Sequence, residues 1–275
     1  MTISLQSIYR YPIKGFTPQR LERVEIAKGS PLPWDRAFAI ENGESGFDPS
    51  APQHLSKIHF LMLMKQPELA ALKTDFNPDT GMLTMSKDGE KVAEGNLFDP
   101  ATMQPMLDYL AHYCHKPVRG APKLLHADGF SFTDARTQDI TLINLASVRD
   151  ISEKAGVALD PLRFRGNLHI EGAAPWQEHD WVGKALMIGS IRFTVRKRTQ
   201  RCTATNANPA TGERDQNIPN LLMSHYDHCD CGIHLMPESG GQLQPGAILS
   251  LAERQEATEG TEGTEGTETS EASEA

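Results

Sequence analysis

The chain of 275 residues is 39% hydrophobic, which is enough for a substantial core arranged as one large or two modest domains. It contains no run of roughly 18 apolar residues, and residues 1–6 lack the basic flank and apolar centre of a signal peptide. We therefore expect two domains in a cytoplasmic protein that has no membrane partner.

The formal net charge of −9 comes mostly from the C-terminus. Residues 255–275 contain seven glutamates and no lysine or arginine, so the remainder of the chain carries only −2. A segment that repeats Glu-Gly-Thr and has almost no apolar residue cannot bury enough surface to fold. We predict that 254–275 is a disordered, solubilising tail, or alternatively an interaction segment. The nearly neutral remainder argues against nucleic acid as a partner.

The four cysteines stand at positions 114, 202, 229 and 231. They are too few and too unevenly spaced for a disulfide framework in a chain of this length. This pattern predicts free thiols in a reducing compartment.

The first part of the chain is predicted to be rich in β-strands. Apolar and polar residues alternate over Ser4–Arg10 and over Leu21–Ile26, and Arg36–Ile40 is short and mostly apolar. Two further strands flank Asp88-Gly89, a dipeptide typical of a tight hairpin turn.

A helix and then a linker follow these strands. Asp99 is placed to cap the helix, and apolar residues recur three and four positions apart as far as Leu110. Residues 116–122 contain two prolines and a glycine without any periodicity, which predicts a linker. We therefore place the two domains at 1–118 and 119–253.

The second domain is predicted to begin with a buried strand over 139–143. Asn144 follows this strand directly and is placed to cap a helix that ends at Gly156. The remaining patterns predict a strand over 165–172, a polar loop over 176–181, a hairpin over 186–195 and a final strand over 247–251.

Cys202 lies where the second strand of that hairpin meets a polar turn. The turn reads Asn-Pro-Ala-Thr-Gly over 208–212, and four basic residues closely precede the cysteine: Arg196, Lys197, Arg198 and Arg201. Nearby positive charge favours the thiolate, the form that attacks electrophiles and binds soft metals. The local pattern leaves one alternative open, an inert buried thiol.

Several motifs, in order along the chain, resemble those of the MOSC family. Tyr-Pro-Ile-Lys-Gly over 11–15 resembles the Tyr-Pro-Val-Lys-Ser motif of its N-terminal β-barrel domain, and residues 34–40 resemble its Asp-Arg strand. Phe-Arg-Gly-Asn over 164–167 resembles Phe-Arg-Pro-Asn, and 201–212 resembles Arg-Cys followed by an Asp-Pro-x-Thr-Gly turn. Residues 176–181 with Ile188-Gly189 resemble an acidic loop and an Ile-Gly-Asp hairpin.

The resemblance spans nearly everything before the tail. It implies a mixed, β-rich α+β fold, with an N-terminal β-barrel-like domain followed by a MOSC β-barrel domain with peripheral helices. Two branches of the family are relevant here, the mitochondrial amidoxime-reducing component and the C-terminal domain of molybdenum cofactor sulfurase.

The resemblance also implies roles for individual residues. Cys202 matches the cysteine that, in the amidoxime-reducing branch, supplies a thiolate ligand to molybdenum held by a pyranopterin dithiolene. The implied cofactor-binding residues are Lys14, Gly15, Arg36, Asn144, Arg165, Asn167, Arg201 and Thr205. Without the resemblance, Lys14 and Arg36 are interpreted as surface cations, Asn144 as a helix cap and Asn167 as a turn or edge residue.

Three positions depart from the family pattern. Gly15 replaces a hydroxyl residue, so it can give a phosphate only its backbone N–H. Gly166 replaces a proline and Asn208 replaces an aspartate, which affects turn geometry and capping. The thiol and the basic groups are retained.

A second candidate site is the segment Ser224–His234. It holds three histidines and two cysteines: His225, His228, Cys229, Cys231 and His234. Zinc sites prefer spaced pairs such as Cys-x-x-Cys, whereas Cys229 and Cys231 are separated by one residue. We therefore favour a packed Cys231 with the histidines on a loop beside the cofactor cleft, where they can move protons, over a zinc site.

By resemblance, the chain is an oxidoreductase that uses the molybdenum cofactor to reduce N-hydroxylated small molecules such as amidoximes. It shows neither a plant-type iron–sulphur cysteine spacing nor a glycine-rich flavin fingerprint, so a separate electron-donor protein is expected. One alternative is a carrier of molybdenum cofactor or of persulfide sulphur on Cys202. Its sulphur would come from a partner such as a cysteine desulfurase, because the pyridoxal-phosphate half of the sulfurase has no counterpart here. Another alternative is a binding module without turnover.

Overall fold

The computed structural model describes residues 2–116 and 118–252, so the predicted tail over 254–275 lies outside the described residues. The strands are β1 Ser4–Arg10, β2 Gln19–Leu21, β3 Val24–Ile26, β4 Phe38–Glu41, β5 Lys73–Phe76, β6 Met82–Lys87, β7 Glu90–Asn96, β8 Lys123–His126, β9 Ile140–Asn144, β10 Leu168–Glu171, β11 Ala185–Ile188, β12 Ile191–Gln200, β13 Asp230–Pro237, β14 Gly241–Leu243 and β15 Leu249–Ala252. The α-helices are α1 Gln104–Tyr113, α2 Leu145–Ala155 and α3 Ile218–Tyr226. The predicted β-rich α+β class is confirmed.

The largest sheet has eight strands in the order β15-β11-β12-β13-β9-β10-β1-β2. Strands β9 and β10 run parallel, and the other neighbouring pairs run antiparallel. Smaller sheets pair β14 with β3, β4 with β8, and β5 with β6 and β7. Segments from both halves of the chain therefore share sheets, since β1 pairs with β10 and β4 with β8. The domain boundary after residue 118 stays a prediction.

Most predicted elements are confirmed, with two corrections. The single strand predicted over 21–26 is wrong, because the chain leaves one sheet after β2, which pairs with β1, and enters another at β3, which pairs with β14. The polar loop predicted over 176–181 is largely a 3₁₀ helix, Gln177–Trp181, in which Glu178 and Trp181 are buried.

Turn and cap residues have the conformations that their types predict. Asp88 and Gly89 have φ angles of 53° and 86° in the β6–β7 hairpin. The Asp99 side chain accepts a hydrogen bond from the Ala101 N–H and caps a 3₁₀ turn, Pro100–Met103, that leads into α1. Gly156 ends α2 at φ 68°.

The buried apolar side chains form two main cores. One core packs α1 against β5–β7 and includes Phe16, Phe38 and Met103, and the other fills the eight-stranded sheet around Leu142, Phe193 and Leu235. Across the described parts of the chain, no helix has the length and apolar character needed to cross a membrane.

Candidate functional site

A cleft of about 500 Å³ lies beside the end of β12 and is lined by residues from both halves of the chain. Its charged lining consists of seven basic residues and two aspartates: Arg36, Lys57, Arg163, Arg165, Lys197, Arg198 and Arg201, with Asp134 and Asp139. A concave site with this excess of positive charge attracts anionic ligands. The cleft therefore suits an anion of small-molecule size.

Cys202 lines this cleft at the junction that the sequence predicts. Strand β12 ends at Gln200, and a 3₁₀ helix, Thr203–Asn206, begins immediately after the cysteine. Thr205 donates hydrogen bonds from its N–H and from Oγ1 to the Cys202 carbonyl oxygen, at 3.1 and 2.8 Å. The backbone behind the thiol is thus fixed, while the thiol itself is partly exposed.

The cation that contacts the Cys202 sulphur comes from a distant part of the sequence. Lys57 Nζ lies 3.4 Å from Cys202 Sγ. Of the basic residues near Cys202 in sequence, Arg196 points to Asp139 at 3.6 Å, and Arg201 donates to the Phe164 and Cys231 carbonyls. Lys57 is not predicted from the sequence, since no local pattern links positions 145 residues apart.

Two arginines on the cleft wall surround Tyr11. The guanidinium carbons of Arg36 and Arg165 lie 4.6 and 4.2 Å from the centroid of its ring. Both arginines have left-handed backbones, with φ angles of 53° and 51°. Such a conformation costs about 1–3 kcal/mol for a residue other than glycine and is concentrated at functional sites. The fold holds both guanidinium groups in place at this cost.

Arg165 keeps part of its hydrogen-bonding capacity free. Its Nη1 donates to the Phe16 carbonyl at 2.7 Å, whereas its Nη2 is buried and has no partner within the described residues. Burial, and next the charge of Arg36, lowers the pKa of Arg165 to about 10. Because Asp35 pairs with Arg36, an anion in the cleft would act mainly by accepting a hydrogen bond from the unpaired N–H group of Arg165.

Lys14 and Gly15 occupy different positions relative to the cleft. Lys14 is buried behind its wall, where Nζ donates to the Phe132 carbonyl at 2.8 Å and pairs with Asp134. Gly15 lines the cleft at φ 85°, and a Cβ atom there would come within 2.8 Å of the Leu61 carbonyl oxygen. This close approach explains why glycine stands where the family motif has a hydroxyl residue.

Asn144 and Asn167 do not line the cleft. Asn144 Oδ1 caps α2 through the Ala146 N–H, and Nδ2 donates to Ala174 O and to Glu178 Oε2 at 2.7 and 2.8 Å. Asn167 Oδ1 accepts hydrogen bonds from the N–H and hydroxyl of Thr141, and Nδ2 donates to Tyr9 O. The side-chain amide groups of both residues therefore hydrogen-bond with protein atoms.

His234 and Asp139 line the cleft as a pair. His234 Nδ1 lies 3.5 Å from Asp139 Oδ2, and that carboxylate is fully buried and accepts the Thr137 hydroxyl at 2.7 Å. Burial, and next the charge of Lys197, lowers the pKa of His234 to about 3, so the ring is neutral at pH 7. Neither His234 Nδ1 nor Asp139 Oδ1 has a hydrogen-bond partner within the described residues. Asp139 is a cleft residue that no sequence pattern predicts.

The other residues of Ser224–His234 are dispersed rather than gathered. Cys231 is buried in a core with Phe164, His225 is exposed on α3, and Cys229 lies beside the Pro219 carbonyl. His228 packs against Trp176 and Tyr226, so of the three histidines only His234, on β13 rather than on a loop, lines the cleft. Among the residues that the structure describes, no three His, Cys, Asp or Glu side chains form a metal-binding group.

Comparison with known proteins decides the family. Residues 2–109 match the MOSC N-terminal beta barrel domain, and residues 126–250 match the MOSC domain. The chain is a MOSC-domain protein. The resemblance seen in the sequence motifs is therefore confirmed, and the cleft takes residues from both matched regions, since Lys57 lies in the first and Cys202 in the second.

The MOSC protein is also similar to molybdenum cofactor sulfurases. That of Anopheles gambiae is 36% identical over 124 residues, which is 41% of this chain and 14% of the sulfurase. That of Homo sapiens is 32% identical over 96 residues, which is 34% of this chain and 10% of the sulfurase. The chain thus covers no more than 14% of the length of these two relatives.

Among solved structures, the YUAD protein from Bacillus subtilis aligns with the MOSC protein over 90% of this chain and 94% of its own chain. The two are 12% identical in sequence, and the TM-score is 0.41.

Proposed function

We propose that the cleft binds a molybdenum cofactor and that the protein uses it to reduce N-hydroxylated compounds with electrons from a separate donor protein. The observation that carries this proposal is the placement of Cys202, a partly exposed thiol contacted by a lysine in a cleft with seven basic residues. Thiolates are preferred ligands of soft, redox-active metals, and the basic lining complements an anionic pterin cofactor.

The residues of the cleft fit this group. Cys202 would supply the thiolate ligand, and Arg165 Nη2, which has no partner within the described residues, would hold the phosphate. Arg36 would add positive charge beside it, since its own guanidinium group pairs with Asp35 and donates to the Arg165 carbonyl. Gly15 presents backbone without a side chain at the same wall. When bound, the cofactor supplies oxygen-atom abstraction and electron exchange at its metal, whereas the chain binds, orients and shields it.

The proposed reaction has a simple balance. A hydroxylamine or an amidoxime takes up two electrons and two protons, its N–O bond breaks, and the products are an amine or amidine and water. The electrons come from the donor protein and the protons from solvent.

Metal and pterin analysis tests the cofactor part of the proposal. Protein produced with molybdate in a host that makes the cofactor should contain near one molybdenum and one pterin per chain. A preparation that contains neither would refute the proposed function. Reduction of benzamidoxime to benzamidine by chemically reduced protein then tests the reaction itself, with the Cys202→Ala variant as control.

A second candidate function is a carrier of persulfide sulphur on Cys202. Two observations favour it, the partly exposed thiol and the similarity to proteins named molybdenum cofactor sulfurase. A cysteine desulfurase is the proposed sulphur donor. Cyanolysable sulphur that is lost in the Cys202→Ala variant, in protein free of molybdenum, would favour the carrier over the reductase.

A further inference from the structure

Lys57 contacts the sulphur atom on which the proposed function depends. We propose that Lys57 is a positioning residue that donates an N–H···S hydrogen bond to the metal-bound thiolate of Cys202 and thereby sets the reduction potential of the metal. This inference rests on the proposed function, because it requires molybdenum on Cys202.

The geometry fixes the ammonium group between two acceptors. Lys57 Nζ lies 3.4 Å from Cys202 Sγ and 3.5 Å from Asp134 Oδ2. The other oxygen of Asp134 pairs with Lys14, so one carboxylate bridges two lysines. The carboxylate thus holds the Lys57 ammonium group beside the sulphur.

The backbone that carries Lys57 is held in place as well. It forms a short 3₁₀ turn, Lys57–His59. Arg119 Nη2 donates to the Ile58 carbonyl at 2.6 Å, and the Asn42 N–H donates to the His59 carbonyl at 2.7 Å. Phe60, the next residue, is buried against Phe132. These contacts limit the positions that the lysine can reach.

Arg201 cannot take over this role. Its Nε and Nη1 donate to the carbonyl oxygens of Cys231 and Phe164 at 2.8 and 2.7 Å, and Nη2 contacts the same Cys231 oxygen. The guanidinium group is committed to joining two backbone segments. The N-terminal MOSC region thus supplies, through Lys57, the cation at the sulphur of the second MOSC region.

Such a contact changes the metal through its ligand. Hydrogen bonds to sulphur ligands and nearby charge are among the factors that set the reduction potentials of thiolate-bound metals. A cation next to the sulphur stabilises the reduced, more negative state of the metal. Removal of the Lys57 ammonium group should therefore lower the reduction potential.

The test compares four variants with the wild-type holoprotein: Lys57→Met, Lys57→Gln, Lys57→Arg and Lys73→Met. Lys73 is the matched control, because its Nζ bonds the Pro209 carbonyl at 2.8 Å. For each protein, molybdenum and pterin per chain are measured first, and the metal is then titrated potentiometrically while the Mo(V) electron paramagnetic resonance signal is followed. We expect full cofactor content throughout, a lowered potential in Lys57→Met, a smaller shift in Lys57→Gln, and values near wild type in Lys57→Arg and Lys73→Met.

Two results would overturn the inference. One is a Lys57→Met protein with full cofactor and an unchanged potential. The other is loss of cofactor from both Lys57→Met and Lys57→Gln with the fold intact by circular dichroism, since Lys57 would then be needed for binding. Failure of the proposed function gives a different result, a wild-type protein without molybdenum. Activity should fall roughly 10–100-fold in Lys57→Met, as is usual when a residue that orients a metal ligand is removed.

Discussion

The network around Glu178 and the cleft around Cys202 both contain polar groups shielded from solvent. The two regions differ in how completely these groups are hydrogen-bonded. Glu178 is fully buried, and its carboxylate accepts hydrogen bonds from Asn144 Nδ2 at 2.8 Å and from Ser147 Oγ at 2.8 and 3.0 Å. Ser147 Oγ in turn accepts a hydrogen bond from the backbone N–H of Trp176. Each of these groups has a protein partner among the described residues, so the network fixes the start of α2.

The cleft leaves its polar groups incompletely paired. Arg165 Nη2 is buried and has no partner within the described residues, and the charge of Arg36 contributes to the lowered pKa of Arg165. Arg36 itself pairs with Asp35. The polarity of a buried residue therefore does not distinguish a structural role from a functional one. Unused hydrogen-bonding capacity distinguishes the two, because an unpaired buried N–H group costs free energy that a bound ligand can recover.

The largest effect should come from Cys202→Ser, which removes the thiolate from the cleft. We expect reductase activity to fall by more than the roughly 10–100-fold typical of residues that only orient ligands. The measurement is benzamidoxime turnover by protein of known molybdenum content. Cys229→Ser is the control, since Cys229 lies outside the cleft beside the Pro219 carbonyl. Wild-type turnover in Cys202→Ser would show that the reaction does not require the thiolate ligand.

A smaller effect, on cofactor retention, is expected when one guanidinium group is removed from the cleft. Arg165→Gln should weaken retention of the anionic cofactor roughly 10–100-fold, because a charge-assisted contact is worth about 1.5–3 kcal/mol. Pterin retained after dilution and desalting measures this change. Arg149→Gln, at an exposed pair with Glu171, should retain the cofactor as wild type does. Equal loss in both variants would show that general charge, rather than the cleft, is responsible.

Asn144→Ala perturbs the Glu178 network and should change stability rather than binding. The variant loses a helix cap and leaves a buried carboxylate without one of its donors, so the free energy of unfolding should fall by about 2 kcal/mol. Urea denaturation measures the loss, and the cofactor content of the folded fraction should stay at the wild-type level. Unchanged stability with lost cofactor would instead make Asn144 the cofactor contact that the family resemblance implied.

The smallest effect concerns the dependence of stability on pH. Burial alone would raise the pKa of Asp134, but the charges of Lys14, Lys57 and Arg36 outweigh it and lower the pKa to about 2. Because the pKa is lower in the folded state, the carboxylate stabilises the fold above about pH 4, and this contribution disappears as the pH falls toward 2. Its side chain is 56% exposed, so the change is modest.

Asp134→Asn should therefore be slightly less stable than wild type at pH 7 and should lose less stability on acidification. Urea denaturation at several pH values between 7 and 3 measures both quantities. Asp128→Asn, at a fully exposed residue, is the control and should follow the wild-type curve. A steeper acid loss in Asp134→Asn than in wild type would contradict the assigned ion pairs.

The sequence predicts those parts of the fold that depend on neighbouring residues. The Asp88-Gly89 turn, the Asp99 cap and the Asn144 cap follow from local chemistry, and each is confirmed. The break within 21–26 is not predictable in this way, because it depends on which strands pair with β2 and β3. The alternation of apolar and polar residues along a strand does not indicate which sheet that strand joins.

The same division applies to the candidate site. The position of Cys202 at a strand end is local, and family motifs point to Arg36 and Arg165 on the cleft wall. Lys57 and Asp139 required the structure, since their neighbours at the cleft are set by long-range packing. The burial of Lys14 behind Asp134 also follows from tertiary structure, because an isolated lysine in a sequence is ordinarily read as exposed.

The pairing of β1 with β10 has a consequence for biosynthesis. Ser4 lies opposite Glu171, so β1 leaves the ribosome more than 160 residues before β10, its partner on this edge. At about 5–20 residues per second, this interval is roughly 10–30 s, during which β1 exposes an unpaired edge that can attract other chains. The order of the strands in the eight-stranded sheet therefore determines how long a nascent chain is prone to aggregate.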